Sequence, residues 1–202
     1  MKDFIFITFA TESQHYLNKA EIFEKTAKKY NINYHIDYIE QFGDYKDVCL
    51  YKPTYILEKL NQFNKTVIWI DCDSVFEGEP DYSFMDKKFD VGIIRRISNQ
   101  GKIDPKMPIL GHINVFKNNQ NAKKVLKVWE YLCKWRDMSF IRDHGRFICA
   151  RYFVKHNSLD VNKYFKNNVI GYATRGTNIV DIKTYSDFGL DEEKMKQDCL
   201  LW

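Results

Sequence analysis

No apolar run in this chain approaches the ~20 residues needed to cross a bilayer. The run near its start, Phe4-Ile-Phe-Ile-Thr-Phe9, is too short for the hydrophobic part of a secretion signal, and no cleavage site follows it. The expectation is a protein that is neither secreted nor embedded in a membrane. Cysteine is sparse and unpatterned. The five residues Cys49, Cys72, Cys133, Cys149 and Cys199 are odd in number and never form a C-x-x-C pair, which argues against a disulfide framework and a zinc cluster and for reduced thiols in a cytoplasm. An excess of one charge is also missing. The 31 Lys and Arg against 27 Asp and Glu leave +4, far below the dense basic stripe of an unaided nucleic-acid binder, though an anionic substrate suits it. With 4 Pro, 9 Gly and no repeat, linker or low-complexity tract, residues 1–202 read as one domain. What the chain does have is aromatic residues: 15 Phe, 13 Tyr and 4 Trp allow a sizeable core without staples.

The order of patterns predicts an α/β fold. Phe4 to Phe9 reads as a buried strand, followed by the polar turn Thr11 to Gln14 and a helix from His15 to Tyr30 with Leu17, Ala20, Phe23 and Ala27 at helical spacing. A second strand falls near Ile32 to Ile39, then a loop from Gln41 to Leu50. Pro53 suits a first helical turn, with Ile56, Leu57 and Leu60 on one face, ahead of the strand Thr66-Val-Ile-Trp-Ile70. Downstream come a strand at Asp90 to Arg96, a Gly-, Pro-, Asn- and Lys-bearing loop from Ile97 to Pro108 that suits a lid, and a strand from Ile109 to Phe116. Helices fit Asn121 to Arg136 and Asp143 to Val154, with strand-like runs near Val169 to Ala173 and Asn178 to Tyr185 and a short helix near Asp191 to Cys199. Alternating strands and helices imply a mostly parallel central sheet flanked by helices. Such sheets bind ligands at the carboxyl ends of their strands, just after Phe9 and Ile70.

Asp71-Cys72-Asp73 stands at one of those ends. If the chain leaves the extended conformation there, two carboxylates one residue apart can converge on one hard cation, which also bridges phosphates; the alternative is a pair of turn formers solvating a strand end. Arg95 and Arg96 close another strand on the same edge, where guanidinium groups can hold phosphates or an anionic acceptor or simply cap the strand. Lys52 is a candidate cation for a leaving group, or a solvated lysine early in a helix. Asp143 is a candidate carboxylate for chemistry, or the N-cap of the helix it opens.

These residues carry a resemblance. Asp71-Cys72-Asp73 after an apolar strand resembles the D-x-D motif of nucleotide-sugar-dependent glycosyltransferases of the GT-A fold. Thr8-Phe9-Ala10-Thr11 with nearby Tyr16 looks like that family's nucleobase and ribose pocket, and Tyr51-Lys52-Pro53 like the segment before its D-x-D strand. Ile113-Asn114-Val115-Phe116 looks like its strand after the donor loop, and Asp143-His144 resembles the Asp-Gln of many retaining members. The resemblance implies a hexosyltransferase-type enzyme with residues 1–96 as the nucleotide-sugar half and 97–202 as the acceptor half. It implies a UDP-linked donor held by Thr8, Phe9, Ala10, Thr11, Tyr16, Lys52, Asp71 and Cys72, and Mn²⁺ or Mg²⁺ on Asp71 and Asp73. Asp143, Asp71 and Asp73 would carry catalysis with retention, and Arg95, Arg96, His112, Asn114 and His144 would meet the sugar or acceptor, whether glycan, protein or DNA. The chain departs from the family in one place: no histidine follows His156 to serve as a third metal ligand, leaving Asp181, Asp187, Asp191 or Asp198, or a diphosphate alone, for that position. The terminal Trp202 suits an aromatic closing over the site or, more plainly, a ring docked in the core.

Two other readings compete. Asp71 and Asp73 also resemble the nucleophile and acid of haloacid-dehalogenase-like phosphatases, with Asp187 and Asp191 as later acids, although that family's motif sits on the first strand. The spacing of Arg142, Arg146, Arg151 and Lys155 makes one basic helix side, either a solvated face or the contact side of a non-catalytic nucleotide-sugar- or nucleic-acid-binding module or of an enzyme glycosylating a DNA base, and the Lys-, Asn-, Ile- and Tyr-rich composition suits a phage or viral gene acting in the host cytoplasm.

Overall fold

A computed structural model describes residues 3–95, 109–135, 143–165 and 169–170. Expectations for residues 97–108 and for the chain beyond 170, including Asp181, Asp187, Asp191, Asp198 and Trp202, lie outside the described residues, as do Arg96 and Arg142.

Among the described residues, eight strands and five helices follow in the order β1 (Phe4–Thr11), α1 (Gln14–Lys29), β2 (Tyr34–Ile39), α2 (Tyr45–Phe63), β3 (Thr66–Ile70), β4 (Val75–Phe76), a 3₁₀ turn (Tyr82–Asp86) and β5 (Val91–Arg95). After these come β6 (Ile109–Phe116), α3 (Gln120–Lys134), α4 (Asp143–Phe153), β7 (Ser158–Asp160), α5 (Asn162–Phe165) and β8 (Val169–Ile170). Six strands form the central sheet in the order β2-β1-β3-β6-β5-β7, and β4 pairs with β8 beside it. All strands of the six point the same way except β6, which runs antiparallel to both β3 and β5. The mostly parallel α/β sheet is therefore as the pattern predicts, and the reversed strand matters for function. It brings the start of β6, not its end, to the carboxyl edge where β3 delivers Asp71.

Side chains alternate across a strand, so the sheet has two inner faces. One packs Ile7, Phe9, Val67, Trp69 and Phe116 against α2, α3 and α4; the other packs Phe4, Phe6, Ile68, Ile70 and Val115 with Phe23 of α1, Phe84 and Phe165. The aromatic wealth of the sequence is spent here, in edge-on rings such as Phe6 against Phe76 and Phe9 against Tyr55. No helix among the described residues is long and apolar enough to cross a membrane.

Two local expectations are corrected. The stretch read as a loop from Gln41 to Leu50 already contains the first turns of α2. Asp44 accepts hydrogen bonds from the amides of Lys46 and Asp47 while Asp47 accepts from the Asp44 amide, a reciprocal cap that starts the helix eight residues before Pro53. Gly43, at φ +55°, makes the entry, and a side chain there would collide with the Asp47 carboxylate. Pro53 thus lies inside the helix rather than in its first turn. The basic helix side is corrected at Arg146. Arg146 is buried, and its guanidinium donates to the carbonyls of Leu132 and Trp135, satisfying the C-terminal end of α3. Arg151 donates to the Ser158 hydroxyl at 2.7 Å, and Lys155 is exposed. Helical spacing put Arg146 beside them without saying that it faces inward.

Candidate active site

The D-x-D turn is built by the end of β3. Its apolar residues are held in the sheet, and the chain then turns, with the Ser74 amide donating to the Asp71 carbonyl at 3.0 Å and the Asp71 amide to the His112 carbonyl at 2.9 Å. Register pairs Trp69 with Asn114 and Ile70 with Ile113, so His112 stands opposite Asp71 at the edge.

Asp71 turns toward α2. Its Oδ1 accepts from Lys52 Nζ at 3.1 Å and from the indole Nε1–H of Trp69 at 2.9 Å, and Lys52 also lies over the Trp69 ring at 5.1 Å. Trp69 shares a strand face with Asp71 two residues on, and it is fixed by rings of Phe9 and Tyr55. Lys52 has a second acid partner: its Nζ is 3.1 Å from Asp143 Oδ2, with the Gly111 carbonyl at 3.5 Å. The ammonium thus donates to Asp71 and the Gly111 carbonyl and pairs by charge with Asp143, whose Oδ2 has no hydrogen-bond partner among the described residues. Lys52, only 5% exposed, is the shared counter-ion of Asp71 and Asp143. Burial alone would lower the Lys52 ammonium, but the charges of Asp143 and Asp71 outweigh it and push it well above its ordinary value. Burial would likewise raise the Asp143 carboxyl, yet His144 and Lys52 hold it below the usual carboxylate range. The cluster is a locked ion triad at neutral pH.

Asp73 turns the other way, toward α1. Its Oδ2 is 3.7 Å from Lys19 Nζ, and its Oδ1 is buried with no hydrogen-bond partner among the described residues. Burial first, and then the charge of Asp71, raise the Asp73 carboxyl, with Lys19 offsetting only part. An under-compensated, buried carboxylate oxygen beside a second carboxylate is a donor set that fits a divalent oxygen-seeking cation. Among the described residues no group of three or more His, Cys, Asp or Glu is arranged to hold a metal. Tyr16 lies one helical turn before Lys19, and its hydroxyl is pushed up by burial and by Cys72, Cys49, Asp73 and Asp71 in turn. Ala10, Ala20 and Cys72 pack together beneath it.

The other expected residues fall into place unevenly. Thr8, Ala10 and Thr11 are buried at the carboxyl half of β1. The hydroxyls of Thr8 and Thr11 have no partner among the described residues, and the Thr8 carbonyl accepts from Tyr55 Oη at 2.6 Å. Phe9 is a core residue among Tyr51, Tyr55 and Trp69, because alternation turns its ring toward α2; only its backbone is left for a ligand. His112 is buried, its imidazole pushed down by that burial against the partial offset of Asp71. Asn114 is fully buried, and neither end of its amide has a partner among the described residues. Arg95 is exposed and 3.9 Å from Asp160 of β7, away from the triad's ion pairs.

His144, the second residue of α4, has its Nε2 3.5 Å from Asp143 Oδ2 and lies against Gly111. A Cβ on Gly111 would come within 2.1 Å of the imidazole. Gly111→Ala is accordingly expected to displace the ring and lower stability by roughly 1–3 kcal/mol, as overpacking does. Gly111→Ala/His144→Ala should recover most of that loss, which thermal denaturation of the two variants and wild type will show.

Trp69, Lys19 and Gly111 are the site residues that sequence reasoning passed over. The i, i+2 spacing of Trp69 and Asp71 on one strand was the available signal for the first; nothing in the sequence pairs Lys19 with Asp73.

No protein-family model matches the chain, and no curated protein matches it. Solved structures do. The crystal structure of a glycosyltransferase involved in the glycosylation of the major capsid of PBCV-1 is similar at a TM-score of 0.56, with 11% sequence identity over 86% of this chain and 95% of that one. The two chains share a fold. In it the charged residues that the turn after β3, the middle of α2 and the start of α4 contribute meet at the carboxyl edge of the sheet, where α/β sheets take their ligands.

Proposed function

We propose that the protein is a glycosyltransferase that moves a sugar from a nucleotide-diphosphate donor, UDP-linked, to an acceptor hydroxyl, with retention at the anomeric carbon. The observation that carries this reading is the divided D-x-D turn. One acid is locked to Lys52 and Asp143; the other offers a buried oxygen with no partner among the described residues.

Asp73 and Asp71 would hold Mn²⁺ or Mg²⁺. When bound, the ion supplies Lewis-acid stabilisation of the departing diphosphate. The chain's own residues do the rest. Trp69 and Lys52 fix the Asp71 carboxylate so that it does not reorganise as charge develops. Asp143 stays ionised but is 5% exposed and paired, which suits a carboxylate that orients charge and position better than one that takes a proton from an incoming hydroxyl. That favours retention over inversion. The buried Asn114 amide and the His144 ring are the polar groups available to a sugar or acceptor. Glycan, protein and DNA are the acceptor classes to screen, and the interior place of Arg146 removes one of the four cations that favoured DNA.

The phosphatase reading asks Asp71 to be a nucleophile while its Oδ1 is already held by an ammonium and an indole, and the fold match is to a glycosyltransferase. Thermal stabilisation and hydrolysis across a panel of nucleotide sugars, with Mn²⁺, Mg²⁺ or EDTA and beside a generic phosphate ester, separates the two. A metal-dependent shift with one nucleotide sugar is the expected result. Ester hydrolysis with no nucleotide-sugar binding would replace the transferase by the phosphatase.

A further inference from the structure

Three strands beyond β3, where β7 is the outer strand of the sheet, the guanidinium of Arg151 is held in one orientation by a chain of hydrogen bonds. The Val154 carbonyl can only accept, so the His156 Nδ1 at 2.6 Å carries the proton. Burial pushes the His156 imidazole down, which leaves the ring neutral at pH 7 and its Nε2 free to accept from the Ser158 hydroxyl at 2.8 Å. The Ser158 oxygen in turn accepts from Arg151 Nη2 at 2.7 Å, and the guanidinium carbon lies 5.9 Å from the centre of the Phe147 ring. Arg151 Nε is buried with no partner, and Nη1 makes no hydrogen bond among the described residues. No carboxylate is within ion-pair distance of Arg151 among those residues either; Asp90, the nearest acid to His156, is occupied by the side chains of Asn119 and Asn121 and by the Asn157 amide. Burial and then the charge of Arg95 push Arg151 down to about 10, so it is ionised at neutral pH. Arg95 itself, exposed at the end of β5, has Nε 3.9 Å from Asp160 of β7. A half-buried cation with a second cation in its field and no acid of its own is under-compensated.

We infer that Arg151 and Arg95 form a binding site for a single oxyanion carried on a sugar, a carboxylate or a phosphate ester, and that this site anchors an anionic acceptor glycan. The acceptor role rests on the glycosyltransferase reading above. A planar guanidinium presents parallel N–H bonds that match either oxyanion, and fixing it in advance reduces the freedom lost on binding. Ser158 and His156 are positioning residues for Arg151. The place of the site gives it the acceptor role: β5 and β7 lie on the far side of β6 from β3, whereas the donor reading puts the nucleoside on the opposite side, at β1. Helix α4 joins the two regions. It opens with Asp143, the partner of Lys52, and reaches Arg151 eight residues later, about 12 Å along its axis. A charge bound at Arg151 therefore belongs to a unit of the acceptor next to the reacting one. DNA would present a row of phosphates and need a row of cations, from which Arg146 is turned inward; an isolated cation pair suits an isolated charge.

Binding is tested on the full chain with neither nucleotide nor metal. Glucuronate, glucose 6-phosphate and glucose are titrated while the arginine Nε–H signals are followed by ¹⁵N magnetic resonance, in wild type, Arg151→Gln, Arg151→Lys, Ser158→Ala and Lys155→Gln, after each variant's melting temperature is checked. The two anionic sugars should shift the Arg151 and Arg95 signals saturably and glucose should not; the one that saturates at the lower concentration names the anion. Arg151→Gln should weaken both roughly tenfold, the scale of a hydrogen bond to a charged group. Arg151→Lys should weaken them less, because the charge stays and the fork is lost, and Lys155→Gln not at all. Ser158→Ala should weaken them roughly threefold, the scale of freeing one long side chain, and move the Arg151 signal toward that of an unrestrained arginine. Glucose shifting the same signals, or Arg151→Gln binding the anions as wild type does, would overturn the site, and a DNA duplex that displaces both sugars would replace the sugar by a nucleic acid. With donor and Mn²⁺, a uronate-bearing oligosaccharide should speed donor consumption, and Arg151→Gln should raise its KM with kcat kept. A neutral oligosaccharide working as well, or neither working in an enzyme that binds donor, would overturn the acceptor role. A chain that binds the anionic sugars but no nucleotide sugar would instead sink the donor reading and leave the anion site standing, so the two failures are told apart.

Discussion

Asp73→Asn should abolish metal-dependent stabilisation by the donor and lower turnover roughly 10²- to 10³-fold, the scale of losing one stabiliser of transition-state charge, while leaving the melting temperature at or slightly above wild type. The asymmetry follows from the site. Asn has the size of Asp but no charge, and the Asp73 charge is a burden to the fold: burial and Asp71 both oppose its ionisation, and Lys19 only partly relieves this. Removing it costs the protein little and deprives a divalent ion of its free carboxylate oxygen. Thermal denaturation with and without Mn²⁺ and donor, together with a donor-hydrolysis assay, reads both quantities. Activity retained at the wild-type level would remove Asp73 from the chemistry.

Lys52→Met should do the reverse, damaging fold and function together. Methionine fills much the same space but strands two carboxylates, one of them 5% exposed, with no ammonium between them. Breaking a buried ion pair from one side costs about 3–5 kcal/mol. The dependence on pH gives the prediction its signature. In wild type Asp143 is depressed, so its stabilising contribution is present above its unfolded value and is lost only as pH falls through the lower folded value. Lys52 is raised, so its contribution is present below its unfolded value and lost only as pH climbs through the higher folded one. Around neutrality Asp143 and Lys52 therefore add no slope. Without Lys52, burial, already the largest influence on Asp143, is opposed mainly by His144, so the Asp143 carboxyl moves up; the variant is expected to lose stability relative to wild type as pH rises. Urea denaturation at pH 5.5 and 8 should show the gap between wild type and Lys52→Met widening with pH. A gap that stays constant would mean that Asp143 does not depend on Lys52.

How much of this was legible beforehand depended on the range of the physics involved. Helices α1, α3 and α4 and strands β1, β3 and β6 announce themselves through periodicity or apolar runs, and they appear within a few residues of the expected places. The start of α2 was hidden because its cap uses Asp47 where a Glu or Gln is the usual sign, inside a polar stretch that looks like a loop. Strands β4 and β7, the 3₁₀ turn and α5 are each five residues or fewer, too short to show a period, whereas β8 falls in the strand-like run expected near Val169. The D-x-D acids were legible from their place after an apolar strand. Their lysine partners were not, for Lys52 meets Asp143 only because α2 and α4 cover the same sheet face. Arg146 was misread for a related reason: its partners are open carbonyls of another helix, which no spacing along α4 encodes.

One residue separates Asp71 from Asp73, yet the acids face opposite layers of the molecule, Asp71 joined to α2 and Asp73 to α1. The two cores behind those helices have no buried side chain in common. Any ligand that engages both carboxylates is therefore a clamp through the rim of the sheet. Its binding energy is carried into both halves of the interior, so occupancy makes them unfold as one cooperative unit rather than merely stiffening a loop.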